Sequence, residues 1–99
     1  MVEINWSDIA KRNFERIIND IKENSLNAAH SFKKRVNEII ENLKLFPRMG
    51  RIVPEINNPV YRERIFKNYR IIYKFLENEQ LILILTIRHG RRLLEPNGI

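Results

Sequence analysis

Ninety-nine residues, 43% of them hydrophobic and 9% aromatic, suit one globular domain, in which a chain this short buries only roughly 60–70% of its unfolded surface. There is no cysteine, which excludes disulfides, thiolate metal sites and a cysteine nucleophile. The formal charge of +6 is uneven: residues 1–47 hold eight Lys/Arg against seven Asp/Glu, residues 48–99 ten against five, so the C-terminal half carries a field suited to an anionic partner.

Val2, Ile4 and Trp6 alternate with polar residues and predict a short first strand. Ser7 can cap a helix, with Asp8 placed against its positive end. Ala10, Phe14, Ile17, Ile18 and Ile21 then recur at helical spacing, and the helix is expected to reach about Asn24. Ser25 reads as a second N-cap. Ala29, Phe32, Val36, Ile39, Ile40 and Leu43 form the next stripe, which Pro47 ends. So short a connection predicts an antiparallel helical hairpin, and two one-sided stripes need a surface to lie on.

Arg48 to Arg51 is turn-like, and Ile52 to Pro59, with two prolines and two adjacent asparagines, reads as a loop. Tyr61 to Phe66 and Tyr69 to Glu77 predict strands, Glu77 to Glu79 a hairpin turn, and Leu81 to Arg88 a strand with no polar alternation before Thr86. So apolar a strand belongs in a sheet centre. The order strand, helix, helix, strand, strand, strand gives an α+β domain over residues 1–99. Its small, twisted, mostly antiparallel sheet carries the N-terminal helical hairpin on one face.

Alternation puts Tyr69, Ile71, Tyr73 and Phe75 on one face, toward the helices, and Arg70, Ile72, Lys74 and Leu76 on the other, outward or into a groove. Arg88 then shares a face with Thr86 and Ile84, and Arg70 could join the Arg88-His89-Gly90-Arg91-Arg92 cluster on one concave basic surface. Tyr69 and Tyr73 read as core aromatics with a hydroxyl at the rim. Two distant histidines without cysteine make a zinc site improbable, and no phosphate-binding glycine loop or defensible carboxylate pair is present. The start Met1-Val2-Glu3-Ile4-Asn5 lacks the pattern of a signal peptide, and Leu81–Leu85 is too short to span a bilayer. The expectation is a cytoplasmic protein with no membrane partner and no cofactor.

Trp6-Ser7 before a helix, Leu43, Pro47 and Gly50-Arg51 after the second, then Tyr69-Arg70-Ile71-Ile72-Tyr73 and His89-Gly90-Arg91-Arg92, together resemble the RelE/ParE superfamily of toxins over nearly the whole chain. The resemblance implies the toxin of a type II toxin–antitoxin module, with a small acidic antitoxin as partner. RelE-like members cleave mRNA in the ribosome, whereas ParE-like members poison DNA gyrase. In RelE-like toxins the arginine of the Tyr-Arg pair stabilises phosphate, and Arg70 matches it. Those toxins often carry a tyrosine beyond the last strand, and no tyrosine follows Tyr73 here. The His-Gly-Arg-Arg ending looks more ParE-like.

Three functions follow as expectations. In a metal-independent, ribosome-dependent mRNA endonuclease, the favoured reading, Arg70, Arg88 and Arg91 would supply fixed charge at the phosphate and His89 the acid or base. Arg51, Arg62, Arg64, Lys67, Lys74 and Arg92 would hold the message. In a gyrase poison the same basic surface only binds. In a degenerate member it serves an antitoxin or nucleic acid without chemistry.

Overall fold

The computed structural model describes residues 1–90. Strand β1 (Glu3–Trp6) leads into helix α1 (Asp8–Asn24) and helix α2 (Leu26–Leu45), followed by β2 (Arg51–Ile52), β3 (Tyr61–Phe66), β4 (Tyr69–Leu76), a 3-10 turn (Glu77–Glu79) and β5 (Leu81–His89). The five strands form one sheet in the order β1-β5-β4-β3-β2, antiparallel except for the β1–β5 pair. This is the α+β architecture expected.

Two serines set the helices. The Ser7 hydroxyl accepts the Ala10 amide at 3.0 Å and donates to the Leu85 carbonyl at 2.8 Å, so the cap that starts α1 also ties it to β5. Ser25 ends α1 and starts α2: its amide donates to Ile21 O and its hydroxyl accepts from the Ala28 amide. One residue serving both caps leaves no slack, and the helices fold back on each other. Pro47 stops α2, since the residue before a proline is pushed out of the helical region.

The apolar stripes of both helices meet the sheet. Phe32, Val36, Ile39, Ile40 and Leu43 of α2 pack with Ile71, Tyr73 and Phe75 of β4 and Ile82, Ile84 and Ile87 of β5 in the main core. Phe32 also touches Phe66 and Tyr69, with ring centroids 5.4 and 5.3 Å away.

Three expectations need correction. Arg51–Ile52 is a short edge strand paired with Glu63 and Arg62, not only a turn; two residues are too few to show alternation. The central strand is β4, not the more apolar β5. Since β1 covers only Leu81–Ile84, the rest of β5 lies at the sheet edge beside α1. Finally, β5 is bulged. Ile72 pairs with Thr86 but Tyr73 with Ile84, which leaves Leu85 as the extra residue. Alternation therefore slips, and Ile84 and Ile87 both reach the main core.

The second face of the sheet is not bare. Residues 53–60 cross it as a strap, and Val53 and Ile72, both fully buried, pack there with Ile56, Tyr61 and Leu85. The Val53 amide bonds to Tyr61 O, and Ile56 and Asn57 fold back onto Val53 O.

Candidate functional site

Cross-strand partners in an antiparallel pair share a face, so the register sorts the basic residues. Arg70 pairs with Arg88, while Tyr69 pairs with His89. Tyr69, Ile71, Tyr73 and Phe75 do face the helices. Arg70 and Arg88 therefore leave from the strap side, and His89 from the helix side. The bulge removes the common face expected for Arg88 and Ile84.

Arg70 is not outward. It is 5% exposed, beneath the strap. Its Nε donates to Glu63 Oε1 at 2.6 Å, and its Nη1 and Nη2 donate to the two oxygens of Glu55 at 2.6 and 2.8 Å. Glu63, fully buried, also accepts from Arg51 Nε. The hydrogen bonds that Arg70 donates to Glu55 are the main cause that raises its pKa further above the guanidinium range; burial opposes it and Glu63 adds to it. Burial of such a charge is tolerable only because both carboxylates satisfy it.

The other candidates are dispersed. Arg62 donates to the carbonyls of Pro59, Arg48 and Gly50, pinning the strap and the turn before β2. Arg64 pairs with Ile71 on the helix side, and its Nε is buried without a hydrogen-bond partner. Lys67 holds a positive φ of 54° in the β3–β4 turn, its ammonium 5.6 Å from the Phe66 ring. Lys74 lies opposite Tyr61 at the strap end of the face. Arg91 and Arg92 lie outside the described residues. Arg88 and His89 line a cleft of about 420 Å³ against α1, together with Asn13, Arg16, Asp20 and Tyr69. His89 stands edge-on to Tyr69 with centroids 5.8 Å apart.

Tyr73 is placed for structure rather than chemistry. It is fully buried, its hydroxyl donates to Pro47 O at 2.7 Å, and the Gly50 amide donates to it at 3.0 Å. Burial raises its pKa, so the hydroxyl keeps its proton at neutral pH and is not available as a base. Among the described residues no cluster of three His, Cys, Asp or Glu could hold a metal. Nor is any helix there long and apolar enough to cross a membrane.

The sequence matches the family model described as the ParE toxin of the type II toxin–antitoxin system, parDE, over residues 4–94. The chain belongs to the ParE toxin family. Its fold is similar to that of the isolated E. coli RelE toxin, with a TM-score of 0.63 at 11% identity, covering 94% of this chain and 88% of that one. The intact E. coli RelBE toxin–antitoxin complex gives a TM-score of 0.56 at 12% identity, covering 93% and 100%. A mutant E. coli RelE in complex with an antitoxin RelBc peptide gives 0.56 at 11%, covering 92% and 85%. At such identities the likeness is one of fold. The sequence has no significant match among curated proteins.

Within this ParE-family toxin, sequence reasoning missed the two carboxylates that govern Arg70. Glu63 was within reach: a two-residue turn from Phe66 to Tyr69 fixes the register and puts Glu63 on the face of Arg70. Glu55 comes from the strap, and no local pattern marks it.

Proposed function

We propose that this toxin of a type II module arrests growth by binding its target, DNA gyrase, and not by cutting RNA. The engagement of Arg70 carries the reading. The arginine that a phosphate-cleaving site would need already spends its Nε on Glu63 and its fork on Glu55, beneath the strap. Two further observations support it. His89 leaves from the opposite face of the sheet, and the Tyr73 hydroxyl is sealed in the core. Membership in the ParE family points to gyrase. An acidic antitoxin is the proposed partner, in keeping with the net charge of +6 and with the RelE complexes that share the fold.

The RNA-cleaving alternative has one observation in its favour, the pairing of Arg88 with Arg70. One experiment separates the two. Purified toxin is added to a translating extract, with mRNA 5′ ends mapped by primer extension, and in parallel to gyrase with supercoiled DNA. Intact message with accumulated cleaved gyrase–DNA complexes is the expected result. New ribosome-dependent cuts without gyrase poisoning would overturn it.

A further inference from the structure

Nine large apolar side chains are exposed among the described residues, and five of them, Leu45, Phe46, Met49, Ile52 and Val60, lie on segments that one arginine draws together. Arg62 donates from Nε to Pro59 O at 3.0 Å, and from Nη1 to Arg48 O at 3.2 Å and Gly50 O at 3.0 Å. Leu45, Phe46 and Met49 line a hollow of about 420 Å³ beside it, with Pro47 and Arg48. A concentration of exposed apolar groups on a polar rim marks a place where another molecule sits. The same place holds a free sheet edge. Strand β2 is outermost, paired only with β3 among the described residues. The Val53 amide bonds to Tyr61 O, so Ile52, one residue earlier, turns its own amide and carbonyl away from β3. Charge completes the surface. Arg48 is paired with Glu77 and Arg51 with Glu63, but no carboxylate among the described residues pairs with Arg62.

We infer that this end of the sheet is where the antitoxin docks, through an extended acidic segment that adds a strand outside β2. Its backbone would meet the outward groups of Ile52, its apolar side chains the hollow at Leu45, Phe46 and Met49, and a carboxylate Arg62. Charge decides for an acidic partner over a second copy of this chain. A second copy would bring the same uncompensated guanidinium to the interface twice, whereas an acidic segment neutralises it. The surface is remote from the basic exit of β5. Arg62 stands near the start of β3, while Arg88 and His89 lie across from its other end, beyond Tyr69 and Phe66. The antitoxin thus gains its hold without occupying the cleft at Arg88 and His89. The inference rests on the antitoxin reading above, adds which surface holds that partner, and does not depend on gyrase.

The test is anisotropy of the fluorescently labelled antitoxin of the same module, titrated with the full chain, beside growth on induction of each variant. Ile52→Pro removes the outward amide and spares the ladder with β3. Met49→Glu sets a like charge in the path of an acidic segment, and serves should the proline variant fail to fold. Leu26→Glu places the same charge on an exposed apolar residue at the start of α2. Each patch variant is expected to bind antitoxin about tenfold more weakly than wild type while still arresting growth, with Leu26→Glu unchanged. Wild-type affinity in both patch variants, or a loss matched by Leu26→Glu, would overturn the location. Growth arrest lost with antitoxin binding kept would give the surface to the target instead. A wild-type chain that sediments as a dimer, with patch variants as monomers, would give it to a second copy. Failure of the wild-type chain to bind antitoxin at all would remove the partner reading itself.

Discussion

Gly50 and Tyr73 are in contact so close that no side chain fits between them. The Gly50 amide donates to the Tyr73 hydroxyl at 3.0 Å, and a Cβ at position 50 would lie 2.7 Å from that oxygen and 2.7 Å from the Glu63 carbonyl. One of these neighbours is backbone and the other a tyrosine locked in the core, so neither can give way cheaply. Gly50→Ala is expected to cost roughly 1–3 kcal/mol or more as overpacking. Tyr73→Phe should cost about 1–3 kcal/mol, because the Gly50 amide and the Pro47 carbonyl lose their partner. Urea titrations of the three proteins measure both.

The same hydroxyl gives a pH signature. Burial raises the Tyr73 pKa above its unfolded value, which lies near about 10. The folded protein therefore retains a proton that the unfolded chain releases. The contribution of Tyr73 is complete below about pH 10 and declines as pH climbs from there toward the folded-state pKa. Tyr73→Phe should be less stable at neutral pH yet show a shallower alkaline decline, measurable as the shift of thermal midpoint between pH 9 and 11.

Arg70 holds two carboxylates under the strap, and removing it strands both. Arg70→Ala is expected to destabilise by roughly 3–5 kcal/mol, the usual result of breaking a buried ion pair from one side. Arg70→Lys keeps the charge but loses the fork and should fall between. Loss of toxicity in Arg70→Ala would therefore report the fold before it reported any chemistry, and denaturation curves must accompany the growth assay.

His89 gives the cleaner functional variant. It touches Tyr69 at the edge of the core and lies on the other face from Arg70. If the toxin binds rather than cuts, His89→Gln should arrest growth on induction at close to the wild-type dose. A loss of arrest with an unchanged unfolding curve would favour chemistry at that imidazole.

Asn13 protects an open sheet edge. Its Oδ1 accepts from the Thr86 hydroxyl at 2.8 Å and from the Ile87 amide at 3.2 Å, where β5 has run past the end of β1. Asn13→Ala should cost about 1–2 kcal/mol and leave a strand amide for another chain to pair with. Light scattering against concentration would detect the resulting self-association.

Much of this was legible in the sequence, for local reasons. The helical stripes, the Ser7 and Ser25 caps and the Pro47 stop are written within one or two turns of chain. The aromatic face of β4 is a period-two pattern eight residues long. The losses come from longer range. A single added residue, Leu85, shifts the phase of β5 and sends Arg88 and Ile84 to different faces. The two residues of β2 exist only because β3 offers them a ladder. Alternation puts Arg70 on the face that looks outward or into a groove, but it tells which side a residue takes, not what lies over it. The cover is the strap, whose Glu55 is fifteen positions away from Arg70 in the chain.

The placement of β5 bears on how the molecule is made. Among the described residues strand β1, near the start of the chain, has only β5 as a neighbour, and β4 needs β5 on one flank. The hydroxyl that caps α1 reaches across 78 positions to Leu85. During synthesis the helices and the β3–β4 hairpin can form early, but the sheet stays split until the segment around Leu85 has emerged. For a toxin this is a built-in delay: the nascent chain cannot complete its sheet until β5 is out.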